Sequence, residues 1–246
     1  MSLKVGLGLF AWGGIEPAAH DGIFAEFTHP ANGDIHWAHR VVYDDALIER
    51  SRSVHASTAL RGGADVIVQL DHDIQWVPGD LAALARKAAA VNGIVAGLYA
   101  CRSFRRGFSS RLAEQGVAWK NGGDALHKAE YVATGFFAIS ASALRRIIAC
   151  GQRPDAPPEM RISECIGVDR PENTFWDIFR CISVPCTMAG YEDKAEALSE
   201  DWSACRRAAF AEVPIYVWEK PVLRHFGRHG FTVDDGLRAP RPGEVK

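Results

Sequence analysis

A chain of 246 residues with 48% hydrophobic and 24% charged side chains sits at the globular average, which excludes a disordered chain and allows one large α/β domain without a partner. A formal net charge of −2 lacks the basic excess of a protein that neutralises many phosphates, so nucleic acid is not an expected partner. No stretch reaches the roughly 20 consecutive apolar residues of a bilayer span, and MSLKVGLGLF runs straight into a strand-like segment without a cleavage site, so a cytoplasmic protein with no transmembrane segment is expected.

Lys4 to Phe10 is an apolar run closed by Trp12-Gly13-Gly14 and reads as a buried first strand ending in a turn. The next thirty residues show no clear periodicity. From Asp44 to Leu60 the positions Leu47, Ile48, Val54, Ala56 and Leu60 approximate a helical stripe, ended by Arg61-Gly62-Gly63. Ala64 to Leu70 is β-branched and mostly apolar, as in a strand covered on both faces, and Asp71 follows at its carboxyl end. Pro78-Gly79-Asp80 leads into an Ala-rich helix, Leu81 to Val91, closed by Gly93 ahead of a strand from Ile94 to Tyr99. This alternation predicts βαβ units and a mainly parallel central sheet flanked by helices.

Arg102 to Lys128 is polar and reads as a loop with a short hairpin. Tyr131 to Ile139 resumes a strand pattern, and Ser140-Ala141-Ser142 caps a helix from Ala143 to Cys150. Gly151 to Asp169 is proline-rich and reads as a surface loop, a candidate lid over an acceptor. Ser199 caps a helix from Glu200 to about Ala211, and Val213 to Val217 and Val222 to His225 read as short closing strands. Residues 1–246 form a single domain, with a loose tail over about 235–246. The six cysteines contain no Cys-x-x-Cys pair and read as reduced, buried small hydrophobes, ahead of a zinc site on Cys181 and Cys186.

The chemistry is expected at Asp71-His72-Asp73. In an open α/β sheet ligands bind beyond the carboxyl ends of the strands. Two carboxylates one residue apart can share a hard divalent cation whose other ligands are water and diphosphate oxygens. An Asp-x-Asp taken alone also fits a turn in which both carboxylates bond nearby amides.

Five separated segments resemble the nucleotide-sugar glycosyltransferases of the GT-A fold, family 2-like and carrying a DxD motif. They are Arg50-Ser51-Arg52-Ser53-Val54 leading into Ala59-Leu60; Gly63 to Ile74 with the triplet; Val95-Ala96-Gly97-Leu98-Tyr99; Val132-Ala133-Thr134-Gly135-Phe136-Phe137-Ala138-Ile139; and Leu198-Ser199-Glu200-Asp201-Trp202 followed by His225-Phe226-Gly227. The likeness spans about residues 44 to 230. It implies a metal-dependent transfer of a sugar from a nucleoside diphosphate to an acceptor such as a glycan, a lipid-linked sugar or a protein. It further implies Mn2+ or Mg2+ on Asp73 and His225 with help from Asp71, and donor contacts from Arg52, Asp71, Asp73, Arg102, Thr134, Gly135 and Trp202. Asp201, beside Glu200, is then the candidate base of an inverting transfer. His229 competes with His225 as the late ligand.

The other aromatics near these segments, Phe175, Trp176, Phe136 and Tyr99, read mostly as core. A haloacid-dehalogenase-type phosphatase also places Asp-x-Asp after an apolar strand, but Gln75 stands where it needs Thr, Ser or Val. A sugar nucleotidyltransferase needs a basic Gly-rich loop after the first strand, and residues 8–14 contain no Lys or Arg. A non-catalytic nucleotide- or sugar-binding module is the remaining alternative.

Overall fold

The computed structural model describes residues 2–11, 14–43, 45–101, 107–114, 117, 123–167, 170–187, 193–227 and 231–232. In chain order these form β1 (Leu3–Ala11), α1 (Pro17–Thr28), β2 (Ile35–Tyr43), α2 (Ile48–Arg61), β3 (Val66–Asp71), β4 (Ile74–Gln75), α3 (Asp80–Val91) and β5 (Ile94–Gly97). There follow β6 (Arg111–Leu112), β7 (Leu126–Tyr131), β8 (Phe136–Ser140), α4 (Ala141–Gly151), β9 (Glu164–Gly167), β10 (Arg170–Trp176), β11 (Ile182–Pro185) and β12 (Ala195–Leu198). The last elements are α5 (Glu200–Phe210), β13 (Ile215–Trp218), β14 (Arg224–His225) and β15 (Phe231–Thr232). No helix among the described residues is long and apolar enough to cross a membrane. The expected tail over 235–246, and Arg102 and His229, lie outside the described residues.

An eight-stranded sheet in the order β2-β1-β3-β8-β5-β13-β7-β6 forms the centre, with helices on both faces. β1 pairs in parallel with β2 and β3, and β5 with β13. β8, however, runs antiparallel between β3 and β5, and β7 antiparallel to β13. The sheet is therefore mixed, and the mainly parallel sheet expected from βαβ alternation needs this correction. An apolar run reports burial on both faces, not direction, so the sequence of β8 carries no sign of its reversal.

Strand periodicity sets what each face meets. Val66, Val68 and Leu70 of β3 enter one apolar cluster with Val5, Leu7, Leu9, Leu81 and Leu84, while Ile67 turns to the opposite cluster with Ala56 and Leu60 of α2. Gln69 and Asp71 share the phase of Ile67 and so face α2. The Ala-rich α3 packs against β8 and β5, and its left-handed closing residue is Asn92 (φ 48°), not Gly93. Gly93 is needed for a different reason: a Cβ there would lie 2.5 Å from the Pro214 carbonyl oxygen.

The unpatterned thirty residues after β1 contain α1 and β2. α1 is fixed by Glu26, which is fully buried and accepts hydrogen bonds from Asn32 Nδ2 (2.9 Å), Trp76 Nε1 (3.0 Å) and the backbone N–H groups of Gly79 (2.8 Å) and Ala82 (3.0 Å). A carboxylate from another helix thus caps α3, whose own Gly79 has no side chain to do so. Glu26→Ala removes the carboxylate acceptor of four donors, of which Trp76 Nε1 and the Ala82 N–H are buried, and the expected loss is about 3–5 kcal/mol in urea unfolding, with an unchanged m-value.

The described part of this expected surface loop, residues 151–167, is tied to the rest of the fold. Gly151, Met160 and Ile162 are buried, and β9 pairs with β10 in a hairpin stapled to the carboxyl-terminal half of α2. There Arg61 Nη2 bonds Glu164 (2.9 Å), and the Trp176 N–H donates to Ser57 Oγ (2.9 Å). At about 1.5 Å of rise per residue, Arg61 is roughly 13 Å along the helix from Arg52.

Candidate active site

β3 ends at Asp71, whose N–H donates to the Gly135 carbonyl (3.0 Å). The chain then turns through His72, whose N–H donates to the Phe10 carbonyl (2.9 Å) and whose carbonyl accepts from Glu16 (3.2 Å). The two residues of β4 follow, and β14 pairs antiparallel with them so that His225 stands opposite Ile74. The Phe226 N–H donates to the Asp73 carbonyl at 2.7 Å. This short ladder carries His225 to the triplet: its Nε2 lies 3.5 Å from Asp73 Oδ2, with both side chains largely buried.

The imidazole is oriented by its other nitrogen, since Nδ1 lies 2.9 Å from the Ala100 carbonyl, an acceptor, and therefore donates to it. The Tyr99 ring packs edge-on against it at 5.1 Å. The ring so held turns Nε2 toward the Asp73 carboxylate. A metal-bound imidazole typically donates its second nitrogen to a carbonyl in this way. Two ligands about 2.1 Å from one ion are themselves about 3–3.5 Å apart. The residues therefore fit a divalent ion of the kind that takes its remaining ligands from phosphates and water.

Asp71 does not join them, and no group of three His, Cys, Asp or Glu side chains among the described residues could hold a metal. Its Oδ1 instead accepts from Arg52 Nη2 at 2.7 Å. Arg52, 3% exposed on α2, also reaches Gln69 Oε1 (3.5 Å), places Nε 3.6 Å from Glu200 Oε1 and lies over the Phe10 ring at 4.7 Å. Burial opposes its charge, but Asp71 and Glu200 outweigh that and hold its pKa above the ordinary value. Arg52 thus links two carboxylates across the site.

Glu200 and Asp201 open α5, where the helix dipole favours carboxylates. Burial raises the pKa of Glu200, against the opposing charge of Arg52. Burial also raises that of Asp201, against hydrogen bonds from Ser199 and the Trp202 N–H. Both bonds to Asp201 fall on Oδ1. Tyr99 is pushed well above the usual phenol range by burial, with Asp71 and Asp201 adding to it.

Thr134 is 1% exposed, with its Oγ1 buried and without a hydrogen-bond partner. Gly135 matters through its missing side chain: its N–H donates to Tyr99 Oη (3.0 Å), and a Cβ would stand 2.6 Å from that oxygen and 2.9 Å from Asp71 Oδ2. Gly135→Ala therefore displaces Asp71 and Tyr99, and the expected result is at least a tenfold loss of ligand affinity at a stability cost of about 1–3 kcal/mol, read by calorimetry and thermal melting. Trp202 stacks on Tyr131 (4.4 Å between centroids, 13° between planes) and donates Nε1 to the Ser109 carbonyl (3.3 Å), so one face of the indole is closed to a sugar.

A cavity of about 330 Å³ opens between the amino-terminal turn of α2 and the ends of β1 and β3. Phe10, Ala46 and Ile48 give it an apolar side, and Arg52, Asp71, His72, Asp73 and Glu200 a polar one. Phe10, Asp45, the Tyr99 hydroxyl and the Ala100 carbonyl have no sequence signal beyond their place after strands. All six cysteines are free thiols, and the four extended residues of β11 set Cys181 and Cys186 five Cα steps, roughly 16 Å, apart, too far to share one zinc ion.

No protein-family model matches the chain, and no curated protein matches it. Among solved structures, the crystal structure of A197 from STIV is similar over 95% of this chain and 91% of that one, with a TM-score of 0.54 at 13% identity. At that identity the likeness is one of fold.

Proposed function

We propose that this protein is a metal-dependent glycosyltransferase of the GT-A type, which binds a nucleoside-diphosphate sugar in the cavity beneath α2. The observation that carries the reading is the approach of His225 to Asp73, made by the β4–β14 ladder at the carboxyl edge of the sheet. Asp73 and His225 would hold Mn2+ or Mg2+, and the ion when bound supplies a Lewis acid to the donor diphosphate. Arg52 pairs with Asp71 and lies against Glu200, holding both at the cavity wall. Phe10, Ala46 and Ile48 suit a nucleobase. Asp201, fixed through Oδ1, keeps Oδ2 to accept a proton from an acceptor hydroxyl, and its raised pKa brings it nearer neutrality, where general bases work best. Transfer with inversion is the stereochemistry that uses such a base.

The test is to incubate the protein with UDP-, GDP- and ADP-sugars in Mn2+ and measure nucleoside diphosphate released. Metal-dependent release that EDTA abolishes is the expected result. Pyrophosphate formed from a nucleoside triphosphate and a sugar phosphate marks a nucleotidyltransferase instead. Tight nucleotide binding with neither product marks a binding module.

A further inference from the structure

We infer that His72, the middle residue of the triplet, is a nucleotide-binding contact whose Nε2–H donates to an oxygen of the ribosyl diphosphate. The inference rests on the donor reading above. His72 lines the cavity between the apolar side and Asp73. Its backbone is clamped on both sides, N–H to Phe10 and carbonyl from Glu16, so the ring has a fixed base. Nδ1 is buried with no hydrogen-bond partner, whereas Nε2 is not sealed in this way and the residue lines the cavity.

A neutral imidazole carries one proton, and the position of that proton follows from the surroundings. Orphaned buried N–H groups are rarer than under-satisfied acceptors, so the proton belongs on Nε2, where a partner can reach it. The other polar groups of the cavity wall are mostly acceptors: the carboxylates of Asp45, Asp71, Asp73 and Glu200. With Arg52 turned to Asp71 and Glu200, the wall offers few donors to an oxygen-rich ligand, and His72 supplies one between the base side and the metal pair.

The ring nitrogen used makes a distinctive test possible. The amide nitrogen of Gln occupies nearly the place of Nε2, and that of Asn the place of Nδ1. Titrating UDP, GDP and ADP into wild type and into His72→Gln, His72→Asn and His72→Phe in Mn2+ by calorimetry should show wild type and Gln within about threefold for the nucleotide preferred. Asn and Phe should each be weakened by about tenfold or more, the loss of one hydrogen bond to a charged or polar oxygen. The 2′,3′-dideoxy analogue identifies the acceptor: wild type weakened to the level of His72→Phe assigns a ribose hydroxyl, and wild type unaffected assigns a diphosphate oxygen. Gln and Asn equally weak, or all three variants equal to wild type, would overturn the role of Nε2. Wild type binding none of the three nucleotides overturns the donor reading as well, and so separates the two failures.

Discussion

Asp73→Ala is expected to lower metal-dependent donor turnover by about 10³-fold, the scale seen when one preorganised charge-stabilising group is removed from an active site. His225→Ala should fall by a similar factor. Because the two side chains meet at 3.5 Å and would serve one ion, their losses should not add: the double variant is expected within a few-fold of either single one. The same pairing predicts that both variants lose the dependence on Mn2+ concentration shown by wild type. Multiplicative losses, or a double variant still saturating with Mn2+, would mean that the two residues do not share a cation. An effect on folding is separable by thermal melting in EDTA. There the wild-type pair holds no metal and each single variant should melt within a few degrees of it.

The parts of this site that were legible in the sequence are those fixed by local pattern. β-branched residues before Asp71 marked β3 and its carboxyl end, and Ser199 ahead of Glu200-Asp201 marked the start of α5. The sequence offers Arg52 as a donor contact, and the fold adds that its guanidinium meets Asp71 and Glu200. Placing it required knowing that Gln69 and Asp71 turn to the same face of the sheet as α2. The sequence offers Thr134 and Gly135 together, and only the fold shows that the connection into β8 buries the Thr134 hydroxyl while the bare Gly135 backbone meets Tyr99 and Asp71. The closing strand read over Val222 to His225 is present as β14, but its pairing with β4 and the reversal of β8 carry no sign in the periodicity, because burial on both faces has no sense of direction. His225 was found by its resemblance, whereas the Ala100 carbonyl that orients it is a backbone group which any residue supplies.

Arg52→Ala is expected to damage both stability and chemistry. The guanidinium donates to Asp71 at 2.7 Å and approaches Glu200 at 3.6 Å, a charge contact too long for a hydrogen bond. Its removal leaves two partly buried carboxylates facing one another, and breaking such a pair from one side costs about 3–5 kcal/mol, or a fall in Tm of about 10 °C for a chain of this size. Arg52→Lys should recover little, because a single ammonium cannot span Asp71, Gln69 and Glu200 while lying flat on Phe10. The pH dependence distinguishes this from simple loss of packing. Burial already raises Glu200, with Arg52 opposing, so without the cation its folded pKa climbs further above the ordinary 4.5. The folded variant then keeps protons that the unfolded chain releases, so its stability falls as pH rises above that value. The variant's deficit against wild type should therefore widen with pH. The acidic limb of the turnover profile should likewise move to higher pH, since burial and neighbouring carboxylates, no longer offset by Arg52, keep Asp201 protonated longer. A deficit that stays constant from pH 4.5 to 8 would show that Arg52 contributes packing alone.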